Sequence, residues 1–143
     1  MFLERQTTHV LGETMGNQEK ILTSVKRLLG GITEDYTVFD PIILIHTNAV
    51  IATLTQLGVG PTSGYALTTG EETWADYLGA VSDNLANLEM VKTYIGLKVK
   101  MIFDPPQASS AMEALKALIA EYEWRINVMV DPMNYFVEEK QEK

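Results

Sequence analysis

Apolar residues recur along this chain at three- and four-residue intervals in four stretches, the spacing that lays them along one side of a helix. The first follows Asn17, a residue suited to an N-cap. It places Ile21, Leu22, Val25, Leu28 and Leu29 on one face before Gly30-Gly31 ends it. The second opens at Asp40-Pro41, an N-cap with proline at the first helical position, and runs to Leu57. Ile42 to Ile45 would also suit the start of a buried strand. The next Gly or Pro comes only at Gly58, and the seventeen residues from Pro41 to Leu57 are long for a strand, so the stretch predicts a helix. Being apolar nearly all round, it is expected to be the central one.

The third stretch, about Ser82 to Phe103, carries Val81, Leu85, Leu88, Ile95, Val99 and Ile102 in a 4-3 spacing with one gap at Lys92, widened by Val91, Tyr94 and Met101. Asp104-Pro105-Pro106 stops it. The fourth opens at the capping box Ser110–Glu113 and extends to about Val128, with Met112, Leu115, Leu118, Ile119, Tyr122 and Ile126 as its stripe. Asp131-Pro132 is expected to break the chain there, leaving Met133–Lys143 as a tail.

Between the second and third stretches, Gly58–Gly70 holds four glycines, Pro61 and no charge, a loop long enough to be functional or mobile. Thr68 and Thr69 each have a Glu three residues on, which predicts a capping box opening a short helix around Glu71–Leu78. The expected fold is all-α: a bundle of about four main helices plus a short one, with extended N- and C-terminal arms. Residues 1–16 read as a flexible arm, 17–130 as the helical domain and 131–143 as a tail.

Charge changes this picture more than length does. Lys and Arg number 11 against 19 Asp and Glu in 143 residues, a net charge of −8, which argues against binding nucleic acid through a basic surface. The acidity is regional. No cation lies between Arg27 and Lys92, while Glu34, Asp35, Asp40, Glu71, Glu72, Asp76, Asp83 and Glu89 do. Such a stretch is either an ordinary solvated face or a surface kept free of cations so that a polyanion passes without sticking. With no Cys, disulfides, thiolate nucleophiles and Cys-ligated metal sites are excluded. The start of the chain lacks the apolar core of a signal peptide. The most apolar run, 41–57, is too short and too polar to span a membrane, so a cytosolic origin is the default.

Candidate chemistry is sparse. Glu72 and Asp76, at i,i+4, would share a helix face as a metal or acid/base pair does, yet no third ligand is near in sequence, and adjacent Glu71 points elsewhere. His46 sits in the apolar helix, where a structural role outweighs a general base, and His9 lies in the arm. Ser63 in Gly60–Gly64 lacks the G-x-S-x-G of a nucleophile turn and a strand before it. Trp74 and Trp124 suit core or interface anchors, and Glu121–Arg125 a supporting i,i+4 pair. Neither a P-loop, a dinucleotide glycine pattern nor HExxH is present. The reading is of a protein that is not an enzyme and has no cofactor or metal. Within the loop, Tyr65-Ala66-Leu67 is an apolar island, either part of a solvated mobile loop or ordered against a neighbouring subunit or the next ring of an assembly, with Tyr65 as anchor and Leu67 in the contact.

Several blocks carry a family likeness. They are Ile21 to Gly30 (ILTSVKRLLG), Phe39-Asp40, Gln56 to Gly60 (QLGVG), Thr73-Trp74, Tyr94 to Lys100 (YIGLKVK), Phe103 to Pro106 (FDPP) and Glu123 to Val128 (EWRINV). In this order, over residues 19–130, the chain resembles the head–tail connector (adaptor) proteins of long-tailed bacteriophages. The resemblance implies a structural virion protein in the head–tail neck, made in the host cytoplasm. It implies a ring, typically of twelve copies, between the portal protein and the tail. The ring would complete the DNA channel, let DNA pass without specific binding, and offer a surface to a downstream tail-completion or stopper protein. On that reading Glu71, Glu72 and Asp76 are candidate channel-facing acids. In connectors of this type the C-terminal segment docks on the portal, which makes Tyr135, Phe136 and Val137 the candidate anchor; the alternative is a tail that folds back on its own bundle. The alternatives are a small helical DNA-binding or transcriptional regulator, whose best recognition helix would be Lys92–Lys100, and an assembly chaperone.

Overall fold

The computed structural model describes residues 16–142, and side chains through Val130. Helices α1 (Ile21–Leu29), α2 (Asp40–Leu57), the short α3 (Trp74–Leu78), α4 (Leu85–Phe103) and α5 (Ser109–Glu142) follow in order, with one 3₁₀ turn, Gly79–Asp83, between α3 and α4. No β-strand forms among the described residues. The fold is the all-α bundle that the hydrophobic periodicity predicts. The flexible arm expected over residues 1–16, with His9, lies outside the described residues except for Gly16.

The hub is α4, not α2. Helix α4 packs against α1, α2 and α5, and Leu88, Val91, Tyr94, Ile95 and Val99 are fully buried along it. Helix α2 buries one side only: Ile43, Thr47, Val50, Ile51 and Leu54 face the core, while Ile42 and Ile45 face solvent. The expectation that the most apolar helix would be central is corrected here. Apolarity all round allows burial all round, but it does not supply neighbours on every side.

The crossing of α1 over α4 depends on Gly96, which is buried. A Cβ there would stand 2.4 Å from Leu28 Cδ1 and 2.9 Å from Leu28 Cβ, so only glycine lets the two backbones come this close. Helix α1 starts at Ile21, with extended Lys20 as N-cap and no side-chain cap. Asn17, expected to cap it, instead donates to Asp83 Oδ1 at 3.1 Å. The vacant role passes to a tertiary bond, Ile21 N–H donating to the Glu72 carbonyl at 3.0 Å; the reciprocal bond, Trp74 N–H to the Glu19 carbonyl at 3.2 Å, ties the start of α3 to the same segment. Helix α4 begins at Leu85, capped by the Asn84 side chain, three residues later than its periodicity suggests. Val81 and Leu85 are accordingly exposed.

The last helix also departs from expectation. Asp131-Pro132 does not end it: the backbone of α5 is helical through Glu142, with Pro132 inside. Proline's φ is compatible with a helix, and what it forfeits is one N–H bond and clearance from the carbonyl four residues back, at about 3 kcal/mol. A helix already anchored by Leu115, Ile119 and Ile126 can run through that defect.

Candidate assembly surfaces

The loop before α3 is held by its own carboxylates. Glu72 accepts the backbone N–H groups of Thr68 (2.7 Å), Thr69 (3.2 Å) and Gly70 (2.9 Å) and the Thr68 hydroxyl (3.1 Å). Burial works to raise its pKa, but these donors outweigh it and bring the group down to about 2. The capping box starts at Thr73, four residues after Thr69, the later of the two expected starts. Thr73 caps α3, its hydroxyl accepting from Asp76 N–H at 3.1 Å while Asp76 accepts from Thr73 N–H at 2.9 Å. Glu72 precedes the helix, so Glu72 and Asp76 do not form the i,i+4 helical pair. Glu71 is exposed and pairs with Lys20 at 2.8 Å. Of the three candidate channel-facing acids, two therefore also hold the local backbone.

The uncharged loop is ordered within the subunit. Leu67 is 4% exposed and belongs to the chain's own core, its backbone clamped from both sides by Asn48, whose amide donates to the Leu67 carbonyl (2.9 Å) and accepts from its N–H (2.7 Å). Tyr65 stacks on Tyr77 with ring centroids 5.1 Å apart. Gly60 is packed under the same ring, where a Cβ would meet Tyr77 Cε1 at 2.6 Å. The island Tyr65–Leu67 thus has a partner inside this chain and does not wait on a neighbour to order. Tyr65 keeps an accessible edge; Leu67 does not.

Cations are neutralised almost one by one. Of the eight Lys and Arg within residues 16–130, seven make ion pairs: Lys20–Glu71, Lys26–Asp40, Arg27–Glu19, Lys92–Glu89, Lys100–Asp104, Lys116–Glu113 and Arg125–Glu121. The eighth, Lys98, lies over the Tyr94 ring at 6.0 Å. Lys26 has only 3% of its side chain exposed and donates to the carbonyls of Glu34 (3.1 Å) and Tyr36 (2.9 Å), tying down the α1–α2 connection; Asp40 Oδ1, 2.9 Å away, supplies charge but not an aligned hydrogen bond. Glu19 grips Arg27 with both oxygens, at 3.0 and 2.8 Å, and also accepts from Ser24, which in turn accepts from Trp74 Nε1 at 2.8 Å. Burial would lift the Glu19 pKa, and these donors hold it below the ordinary carboxylate range. Trp74 is fully buried in the core, whereas Trp124 is 63% exposed.

No cluster of three His, Asp or Glu positioned for a metal occurs among the described residues, and no described helix is long and apolar enough to cross a membrane. His46 is half-buried on α2 and Ser63 exposed on the loop. The residues that sequence reasoning missed are apolar and on the outside. Ile42, Ile45, Ala49 and Ala52 line the outer side of α2, and Leu118 and Val128 are exposed on α5, as is Trp124, which the sequence already marks as a core or interface anchor. The signal was present in α2 as an excess of apolar residues over what one core-facing side requires. Tyr135, Phe136 and Val137 lie on the helical extension of α5, beyond the described side chains.

The phage connector protein family model matches residues 21–133, from the first residue of α1 to just past Pro132. The chain belongs to the phage connector protein family. No curated protein and no solved structure matches it significantly. This is a structural family and not one of enzymes, which agrees with a surface built from caps, ion pairs and apolar faces. The match covers α1 to α4 and α5 as far as residue 133, and stops before Tyr135.

Connector membership also bears on the best candidate for a recognition helix. Lys92–Lys100 lies on α4, the hub of the bundle; Lys92 keeps only 12% of its side chain exposed and is paired with Glu89. A helix wrapped by three others cannot enter a DNA groove.

Proposed function

We propose that this connector forms a ring beneath the portal of the phage head, continues the DNA channel, and gives the tail its attachment surface through a tail-completion or stopper protein. Family membership supplies the connector role, and one observation carries the channel reading: the near-complete pairing of cations across residues 16–130 of a chain with net charge −8. DNA binding draws its affinity from cations that trade counterions for phosphates. A surface whose Lys and Arg are committed to neighbouring carboxylates has little to trade, so DNA slides past it. Glu71 and Asp76, both exposed, are the acids best placed to face the channel.

The C-terminal segment of α5 is the portal anchor in this reading, with Tyr135, Phe136 and Val137 as its apolar contacts. A helix that runs on through Pro132 presents them on a preformed element, which lowers the ordering cost of docking compared with an extended tail.

Cryo-microscopy of the virion neck tests the whole reading. Density for this chain in a ring between portal and tail is expected; its absence from the neck overturns the proposal. A gel shift tests the channel surface separately: the purified protein should leave duplex DNA unshifted at moderate salt, and tight, salt-sensitive binding would count against it. Deleting residues 131–143 should leave a bundle that melts normally but no longer enters particles.

A further inference from the structure

Two helices of one subunit each keep an apolar side that the subunit does not use. On α2 the outward row is Ile42, Ile45, Ala49 and Ala52, and Ile45 is 62% exposed. At about 100° per residue this row lies opposite the buried set Ile43, Val50 and Leu54. On α5 the outward residues Trp124 and Val128 likewise lie across the helix from Leu115, Ile119 and Ile126. Both helices pack on α4 with their inner sides, so both rows point away from the bundle.

Resting on the ring reading above, we propose that these two faces are the two halves of the contact between neighbouring copies: the outer row of α2 in one subunit packs against the Trp124–Val128 face of α5 in the next. A ring needs a head-to-tail contact made by two different patches, since a patch that mates with itself stops at a dimer. Charge selects a second copy as the occupant. Copies of a −8 chain repel one another everywhere except at neutral surface. The stretch from Pro41 to Gly70 contains no Asp, Glu, Lys or Arg, and α2 forms its helical part. On α5 the charges beside Trp124 are Glu121 and Arg125, which neutralise each other across 3.7 Å. Neutral therefore meets neutral, with the indole of Trp124 as a large anchor opposite small Ala49 and Ala52.

The contact is small. Ile42 to Ala52 spans about 15 Å of helix axis, and Trp124 to Val128 about 6 Å. One helix row is about 10 Å wide, so even the longer row covers on the order of 150 Å², well under the roughly 800 Å² per partner of a stable free complex. Free copies should therefore stay apart, and the contact closes where the portal holds subunits side by side.

The chain has no Cys, which makes the test clean. Ile45→Cys and Trp124→Cys, singly and together, are built into phage, and purified particles are treated with a short bismaleimide. The expected result is a ladder of cross-linked multimers from the double variant and none from either single variant. A dimer from Ile45→Cys alone would mean that α2 meets α2, and would overturn the proposal. So would a double variant that yields no ladder while neck density shows the ring, which leaves the ring reading standing. Particles whose neck lacks this chain would overturn both. Both positions are exposed, so melting curves of the variants should overlay the parent.

Discussion

Helices α2 and α4 are nearly equal in length, and by composition α2 looks the more deeply buried. It has no charged residue from Pro41 to Leu57, whereas α4 carries Glu89, Lys92, Lys98 and Lys100. The structure reverses the order: α4 is surrounded by three helices and α2 turns a full side to solvent. A central helix can carry charge if the charges emerge at its edges and are paired there, as Lys92 is with Glu89 and Lys100 with Asp104. A peripheral helix that is apolar on both sides has more apolar surface than its own fold consumes. That surplus is the apolar surface that the subunit's own fold leaves uncovered.

The sharpest way to break this comparison is to truncate matched residues on the two helices. Ile95→Ala, at a fully buried site on α4, should cost about 2–5 kcal/mol of unfolding free energy in denaturant titration. Ile51→Ala on the inner side of α2 should fall in the same range, since that side is equally buried. Next in size is Gly96→Ala. The new methyl would stand 2.4 Å from Leu28 Cδ1, and separating α1 from α4 should cost about 1–3 kcal/mol by the same measurement. A smaller loss would mean that the α1–α4 contact is loose and α4 less of a hub than it looks.

Smaller again is the loop carboxylate. The pKa of Glu72 lies at about 2 in the fold against 4.5 for the ordinary group, so the ionised form is the one the fold favours. Its contribution is fully present above pH 4.5 and is lost as pH falls from 4.5 toward 2. The site is partly open to water, which limits the effect to about 1 kcal/mol. Glu72→Gln should lower stability by that amount at pH 7 and flatten the acid limb of the stability profile below pH 4.5. Smallest of all is Ile45→Ala on the outer side of α2, which should change unfolding free energy by less than about 0.5 kcal/mol. If it costs as much as Ile95→Ala, the outer row is part of the subunit core and the comparison fails.

Helix existence and type were legible in advance because they rest on local spacing. The Gly30 and Gly58 ends and the Asp104-Pro105 stop of α4 fall where the residues say, and the helix start at Asp40-Pro41 is off by a single cap position. The capping box at α3 was misplaced because Thr68, Thr69 and Thr73 all have an acid three residues on. Only the folded loop, in which Glu72 turns back to three N–H groups, leaves Thr73 and Asp76 to cap the helix. The same kind of ambiguity hid the loop's partner. Tyr65 and Leu67 are apolar in an uncharged segment, which says that something covers them, and it took the packing of Tyr77 and the clamp of Asn48 to say what.

What the sequence by itself determined rests on near neighbours along the chain and on composition: four main helices and a short one, the glycine ends of α1 and α2, the proline stop of α4, the all-α class, the acidic balance, and the absence of thiol chemistry. It also held blocks specific enough to mark a phage connector. What only the tertiary structure decided is which side of each helix meets another. Burial is a property of pairs of elements distant in the chain, and a helix's own residues record that it has apolar faces but not how many neighbours it will find. For α4 a glycine at position 96 and three flanking helices settled the matter; α2 found a neighbour on one side and kept Ile42 and Ile45 for the outside.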